Sequence, residues 1–464
     1  MDSERILGIL ADAGIPLSSD PSLADIVLVN TCGFIEAARE ETRAVLESLR
    51  AEAGAGGGTP KVVVAAGCMV RRARLHPELA PALASADALV SFEDYPRLPE
   101  IVRGLFAEAS GVKRRGLQPS SGANAPSCPA VPAGEASPRP GDFDSAPRMR
   151  IGSPGSAFLK ISEGCDNRCS YCAIGMIRGP HVSRPIEYLV AEARDLAAIG
   201  CREICLVAQD TTRYGTDIYG SPRLPELLRA VAAVEGIRWV RLLYAHPARL
   251  DEEILRTLAS GEKFCPYVDV PLQHVDDGVL KAMGRGMSRK DVDALLDRIR
   301  RILPSAAIRT SLLTGHPGET EAAFERLLEF VREGHFAHMG AFAYSPEPGT
   351  PSAAMEPACD SAEAVRRRDE LMRAQREVSA RWCASFVGKE ENVLIDVRAG
   401  HPSDGLEMPR GARWRGRISR QAPDSDGVVW ILGDSKTSPG EFVRARVEGA
   451  GDYDLIARVK GSPR

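Results

Sequence analysis

The sequence predicts an α/β chain in three parts: a small parallel α/β domain, a partial (β/α)6 barrel, and a small antiparallel β-barrel at the C-terminus. Three observations carry this. Apolar, β-rich runs alternate six times with helical stretches between about Ala157 and Ser345, the pattern of parallel strands joined by crossover helices. Cys165, Cys169 and Cys172 fall just after the first of those strands. Five short β-like segments with Gly, Pro and Asp turns follow Gly388.

Residues 1–109 read as the first domain, with buried strands at Ala24–Asn30 and Lys61–Ala66 and helices at Ile35–Arg50 and Arg97–Ala109. Residues 110–150 turn Pro/Ser/Gly-rich, too poor in apolar area to order themselves, and read as a flexible linker. The core, 151–386, has strands at Ala157–Ser162, Glu203–Ala208, Arg238–Tyr244, Tyr267–Val270, Ala307–Leu313 and His338–Tyr344. Helices follow the first five, among them Ile186–Ile199, Leu224–Val234 and Glu319–Arg332. A helix over Ala362–Phe386 leads out, with Arg366-Arg367-Arg368 as a solvated face. The last part, 387–460, has strands at Asn392–Val397, Arg413–Ile418, Gly427–Leu432, Phe442–Glu448 and Leu455–Lys460, with Trp414 and Trp430 as its core.

Composition narrows the function. A formal net charge of −4 supplies no global basic field to draw the chain to nucleic acid or anionic lipid. No apolar run approaches the roughly 20 residues of a membrane span, and Met1–Arg5 lacks the apolar stretch of a secretory signal. The expected location is cytoplasmic. In a reducing compartment 11 cysteines point away from disulfides, and the cluster at 165–172 points to metal or catalysis. The isolated Cys201, Cys205, Cys265, Cys359 and Cys383 read as small core residues.

In parallel barrels the active site lies at the carboxyl ends of the strands. There the sequence gathers Glu163-Gly164-Cys165, Gln209-Asp210, His246, Gln273-His274, Thr314-Gly315-His316 and Ser345. Four-iron clusters ordinarily take four thiolates, so three close cysteines would leave one iron open to an external ligand. The alternative is tetrahedral zinc, for which His181 is the candidate fourth ligand. Gly315-His316-Pro317-Gly318 also reads as a tight strand-to-helix turn, and His246 and His274 as local caps.

The CxxxCxxC loop resembles that of radical S-adenosylmethionine (SAM) enzymes, and within them the chain is similar to the methylthiotransferases. Leu159–Cys165, Arg178-Gly179, Ser183–Ile186, Gly315–Thr320 and Tyr344–Pro351 carry the resemblance. It implies that Cys165, Cys169 and Cys172 hold a 4Fe–4S cluster whose open iron chelates SAM. Reduction then cleaves SAM to methionine and a 5′-deoxyadenosyl radical. It also places Gln209, Asp210, Gln273, Thr314, Gly315 and Gly318 toward the cofactor, and implies an electron donor such as flavodoxin or ferredoxin. Asn30–Phe34 and Ala66–Met69 resemble the family's N-terminal domain, which implies that Cys32 and Cys68 help hold a second 4Fe–4S cluster. The third ligand of that cluster would precede the Asp2–Arg5 segment, upstream of Met1, and Cys128 is a remote substitute.

Two family types compete. Leu206–Gly215, with Ala-Gln-Asp at 208–210, resembles the type that modifies an aspartate of small-subunit ribosomal protein twelve; the tRNA-adenosine type tends to Gly-Gln-Asn there. The last part resembles a TRAM domain, often an RNA grip. Residues 386–464 hold 13 Lys/Arg against 12 Asp/Glu, weak for phosphate neutralisation and suited to a basic protein, with Asp424 and Asp426 as candidate contacts. A reading of another class is a non-catalytic, zinc-dependent scaffold on the ribosome.

Overall fold

Val62–Gly67 contains no polar side chain, and in the computed structural model it forms β2, buried along its whole length. Parallel strands covered on both faces read this way. With β1 (Ile26–Thr31) and β3 (Ala88–Val90) it makes a parallel sheet of order β1-β2-β3. On one face Ile6 and Leu10 of the helix Asp2–Asp12 join Leu98, Ile101 and Val102 of Leu98–Ala109; on the other, Leu46 packs with Met69, Val70 and Leu83. The structure describes residues 1–54, 62–109, 146–400, 408–433 and 436–459, so most of the expected linker, with Cys128, lies outside the described residues. The described chain forms two units. The first is Met1–Ile151 with Cys172–Pro180 and Ser345–Ala353; the second is Gly152–Tyr171, His181–Tyr344 and Ala354–Arg464.

The second unit contains the six expected parallel strands. β4 (Ser156–Lys160), β7 (Glu203–Val207) and β8 (Trp239–Leu242) form one sheet; β9 (Tyr267–Asp269), β10 (Ala307–Thr314) and β11 (His338–Ala343) form another. A bridge between Val240 and Phe264 continues β8 toward β9. The result is an open six-strand arc. A short ladder of β5 (Ser162–Glu163) and β6 (Val182–Ser183) sits where the cysteine loop departs. The last five strands, β12 (Glu390–Arg398), β13 (Ala412–Arg417), β14 (Val429–Leu432), β15 (Phe442–Ala450) and β16 (Leu455–Val459), close in the order β12-β13-β14-β16-β15. One expectation is corrected here: β14 and β16 pair in parallel, because β15 runs between them in sequence and pairs on β16's other edge. Trp430 is buried and Trp414 packs against the barrel core, as expected.

Four charges fasten this barrel to the core. Arg417 donates to both carboxylate oxygens of Asp396 at 2.9 Å and lies 2.8 Å from Glu203, which also accepts from Arg241 at 2.8 Å. Burial alone would raise the Glu203 pKa, but the guanidiniums of Arg417 and Arg241 win and lower it below the ordinary 4.5. Its contribution is therefore fully present above about pH 4.5 and is lost as pH falls through the lower folded-state value. Removing one partner of a buried ion pair costs about 3–5 kcal/mol. Arg417→Met should lower the unfolding free energy by an amount of that order, read as a lower denaturant midpoint at unchanged slope; a midpoint within error of wild type would contradict this account.

Two other expectations change. Arg367 belongs to no solvated face: 5% exposed, it pairs with Glu319, Glu321 and Glu363. Asp426 is also turned inward, its side chain 1% exposed, accepting from Tyr267 Oη at 2.7 Å and from the Ala422 amide at 2.7 Å. Asp424 alone is exposed there.

Candidate functional site

The loop after β5 is fixed by hydrogen bonds from several strand ends. Asn167 donates to Asp210 at 2.8 Å, and Arg249 donates to Asn167 at 2.6 Å and also pairs with Asp210. Asp210 further accepts from the Thr212 amide at 3.0 Å and its hydroxyl at 2.5 Å. Burial opposes the Asp210 charge, yet Arg249, Thr212 and Asn167 hold its pKa below the ordinary value. The Asp166 carboxylate accepts from the His181 amide at 3.0 Å. Farther along, the Ser170 amide donates to Met283 O at 3.0 Å and its hydroxyl to Ala282 O at 2.8 Å. These contacts hold the loop through residues other than its cysteines.

Cys165 and Cys169 are half-buried, free thiols in this unit. Burial raises the Cys165 pKa against the opposing hydrogen bonds of Asn167. Cys169 Sγ accepts from Arg285 at 3.5 Å. Cys172, half-buried and outside any disulfide, opens the segment Cys172–Pro180, and its Sγ accepts from the Ile174 amide at 3.5 Å. His246 caps the Ala248 amide through Nδ1; burial and the nearby Arg285 and Arg249 push its pKa down to about 3, so it is neutral near pH 7. His274 Nδ1 caps the Asp276 amide.

The other sequence candidates separate into two groups. Gln209 donates to Glu163 at 3.0 Å, and its Oε1 is buried with no hydrogen-bond partner among the described residues. Gln273 is half-buried, with a backbone φ of +73° that few non-glycine residues adopt. Gly318 is exposed in the turn after β10. Thr314 and Gly315 are taken up by packing: Thr314 Oγ1 donates to Ala364 O at 2.8 Å, and a Cβ on Gly315 would meet Ala364 Cβ at 2.4 Å. The close backbone approach that needs glycine at 315 is thus toward the helix Ser361–Ala384. Cys359, expected in the core, is half-buried instead.

In the first unit, Cys32 and Cys68 follow β1 and β2, on the same edge of the sheet as their positions required. A Cβ at Gly33 would meet Met69 Cα at 2.8 Å, so glycine lets the two cysteine-bearing turns close. Cys32 is exposed and Cys68 half-buried. Burial raises the Cys68 pKa, opposed by Arg178, which donates a hydrogen bond to it and pairs with Asp2 at 2.9 Å. Arg72, 1% exposed, donates to Gly33 O at 2.5 Å and Phe34 O at 3.0 Å and pairs with Glu347 at 2.7 Å, which fixes the turn carrying Cys32.

Among the described residues, no group of three or more His, Cys, Asp or Glu forms a closed metal-binding set. What fits a thiolate-ligated cluster is the donor chemistry: three cysteines outside any disulfide within eight residues. The zinc alternative's fourth ligand is engaged at one ring nitrogen. His181 Nε2 faces Ser183 Oγ at 3.0 Å and Asp217 at 3.8 Å. Sequence reasoning did not single out Arg249 or Arg285. The one signal was Arg285's place between Gly284 and Gly286, both at positive φ.

Residues 159–331 match the radical SAM superfamily, residues 1–91 an uncharacterized protein family, UPF0004, and residues 387–459 the TRAM domain. The chain is similar to the ribosomal protein uS12 methylthiotransferase RimO of Desulforudis audaxviator, with 41% identity over 99% of this chain and 94% of the relative. The same-named proteins of Syntrophus aciditrophicus and a Synechococcus strain share 39% and 40% identity over 100% of this chain and 96% and 88% of their own. Among solved structures, the radical SAM methyltransferase TsrM of Kitasatospora setae, with cobalamin and a 4Fe–4S cluster bound, superposes with a TM-score of 0.50. That match has 19% identity and covers 76% of this chain and 73% of the other, which supports the fold alone. No helix among the described residues is long and apolar enough to cross a membrane.

Proposed function

This chain belongs to the radical SAM methylthiotransferases of the ribosomal protein uS12 (RimO) family, and from that membership we propose that it adds a methylthio group to the β-carbon of an aspartate in uS12. The observation that carries the site is the loop after β5, held at the strand ends by Asn167 and Ser170, with its cysteines outside any disulfide. Cys165, Cys169 and Cys172 hold the SAM-binding 4Fe–4S cluster. With SAM bound, the reduced cluster supplies one-electron chemistry that can remove a hydrogen from an unactivated carbon, and the protein contributes ligation, orientation and exclusion of water.

The chain's own residues then divide the work. Gln209, with its buried unpaired oxygen, receives a donor of SAM, and Gln273 and Gly318 border the same strand ends. Asp210 orients the loop through Asn167 and Arg249. Cys32 and Cys68 help hold the auxiliary 4Fe–4S cluster that presents sulfur, in a turn kept rigid by Arg72 and Glu347. A flavodoxin or ferredoxin supplies electrons. The near-neutral C-terminal barrel meets the basic ribosomal protein, with Asp424 as its exposed contact.

The division of labour between the clusters has a direct test. Reconstituted enzyme, SAM, a low-potential reductant and uS12 should give methylthiolated uS12. Cys32→Ala/Cys68→Ala should keep at least half of the SAM cleavage and lose methylthiolation by 100-fold or more. A double variant that still modifies uS12 at a wild-type rate would remove the auxiliary cluster from the reaction.

A further inference from the structure

Arg285 is 6% exposed, and it reaches the cysteine loop from the opposite strand pair. One guanidinium nitrogen donates to Cys169 Sγ at 3.5 Å and another to Pro271 O, beyond β9, at 2.5 Å. Its Nε is buried without a hydrogen-bond partner among the described residues. The turn that carries it is tied to the loop independently, through the Ser170 bonds to Ala282 and Met283. The guanidinium is therefore held at one sulfur by its bond to Pro271, and the turn that carries it is held by the two Ser170 bonds.

Building on the assignment of Cys165, Cys169 and Cys172 as cluster ligands, we propose that Arg285 is a positioning residue that sets the cluster's reduction potential by donating to the Cys169 sulfur. One-electron reduction adds one negative charge to the cluster, taken from the external low-potential donor. A fixed positive charge and a hydrogen bond at a ligating sulfur favour the more negative, reduced state. Arginine suits the position because it keeps its charge when buried and holds two donors in a rigid plane. Burial, and then the same guanidinium with Arg249, hold the His246 pKa down.

The test uses the full-length Cys32→Ala/Cys68→Ala protein, reconstituted so that one cluster is present, and compares Arg285, Arg285→Lys and Arg285→Gln. Iron and labile sulfide per chain should be equal in all three. In an anaerobic titration followed by the electron paramagnetic resonance signal of the reduced cluster, Arg285→Gln should show about a tenfold lower reduced-to-oxidised ratio at fixed poise. That is a shift of about 59 mV to more negative potential for one electron. Arg285→Lys, which keeps the charge, should recover most of it. An iron-bearing Arg285→Gln with an unshifted potential overturns the proposal. Loss of iron from either variant also overturns it and makes Arg285 a brace for the loop. A parent protein that takes up no iron fails at an earlier step, and with it falls the ligand assignment itself.

Discussion

Replacing Cys165, Cys169 and Cys172 together with Ala is expected to abolish reductive SAM cleavage, with 5′-deoxyadenosine falling at least 1,000-fold to the reagent background. The physical reason is that three thiolates are the chain's whole contribution to a cluster with one open iron. His181, His246 and His274 each commit one ring nitrogen elsewhere, to Ser183, the Ala248 amide and the Asp276 amide. The loop should nevertheless keep its place, because Asn167, Ser170 and Asp166 hold it without using a cysteine. The triple variant should therefore unfold at nearly the same denaturant concentration as the apo wild type. Persistent 5′-deoxyadenosine formation would refute the ligand assignment. A large loss of apo-protein stability would show that the thiols also carry packing energy.

Much of this was legible in the sequence, and the reasons differ by element. The six core strands were readable because each is a run of β-rich apolar residues separated by a helix-length spacer, a signal strong in period and in length. β3 was missed because Ala88–Val90 is three residues long, too short for any alternation to register. The helix Cys68–Leu75 was missed because it begins directly where β2 ends, with no turn residues after Gly67 to announce it. Cys165, Cys169 and Cys172 were legible from their spacing and their place after a strand, and Cys32 and Cys68 only through the resemblance of their segments to the family's N-terminal domain. Their supports were not. Arg249, Arg285 and Arg72 reach partners as far as 82, 116 and 276 residues away in sequence, which local pattern cannot reveal. Arg367 shows the same limit from the other side: flanked by two arginines it looked solvated, but Glu319 lies 48 residues earlier and faces it in the fold. Asp426 looked like the exposed twin of Asp424 until the turn carried it beneath Tyr267.

The second large effect concerns the substrate. An aspartate β-carbon carries strong C–H bonds that acid–base groups cannot break near neutral pH, and a site built for one-electron chemistry overcomes that barrier. The near-neutral charge of the C-terminal barrel disfavours a polyanionic tRNA and accepts a basic protein. Reconstituted wild-type enzyme with SAM and reductant should therefore give uS12 a methylthio mass gain on one aspartate and leave tRNA unmodified. The most direct measurement uses uS12 whose aspartate β-positions carry deuterium, read by mass spectrometry of both the protein and the released 5′-deoxyadenosine. The account predicts that the modified aspartate loses one deuterium and that the label appears in 5′-deoxyadenosine. A methylthio gain on tRNA with none on uS12, or modified uS12 with no label transferred, would contradict it.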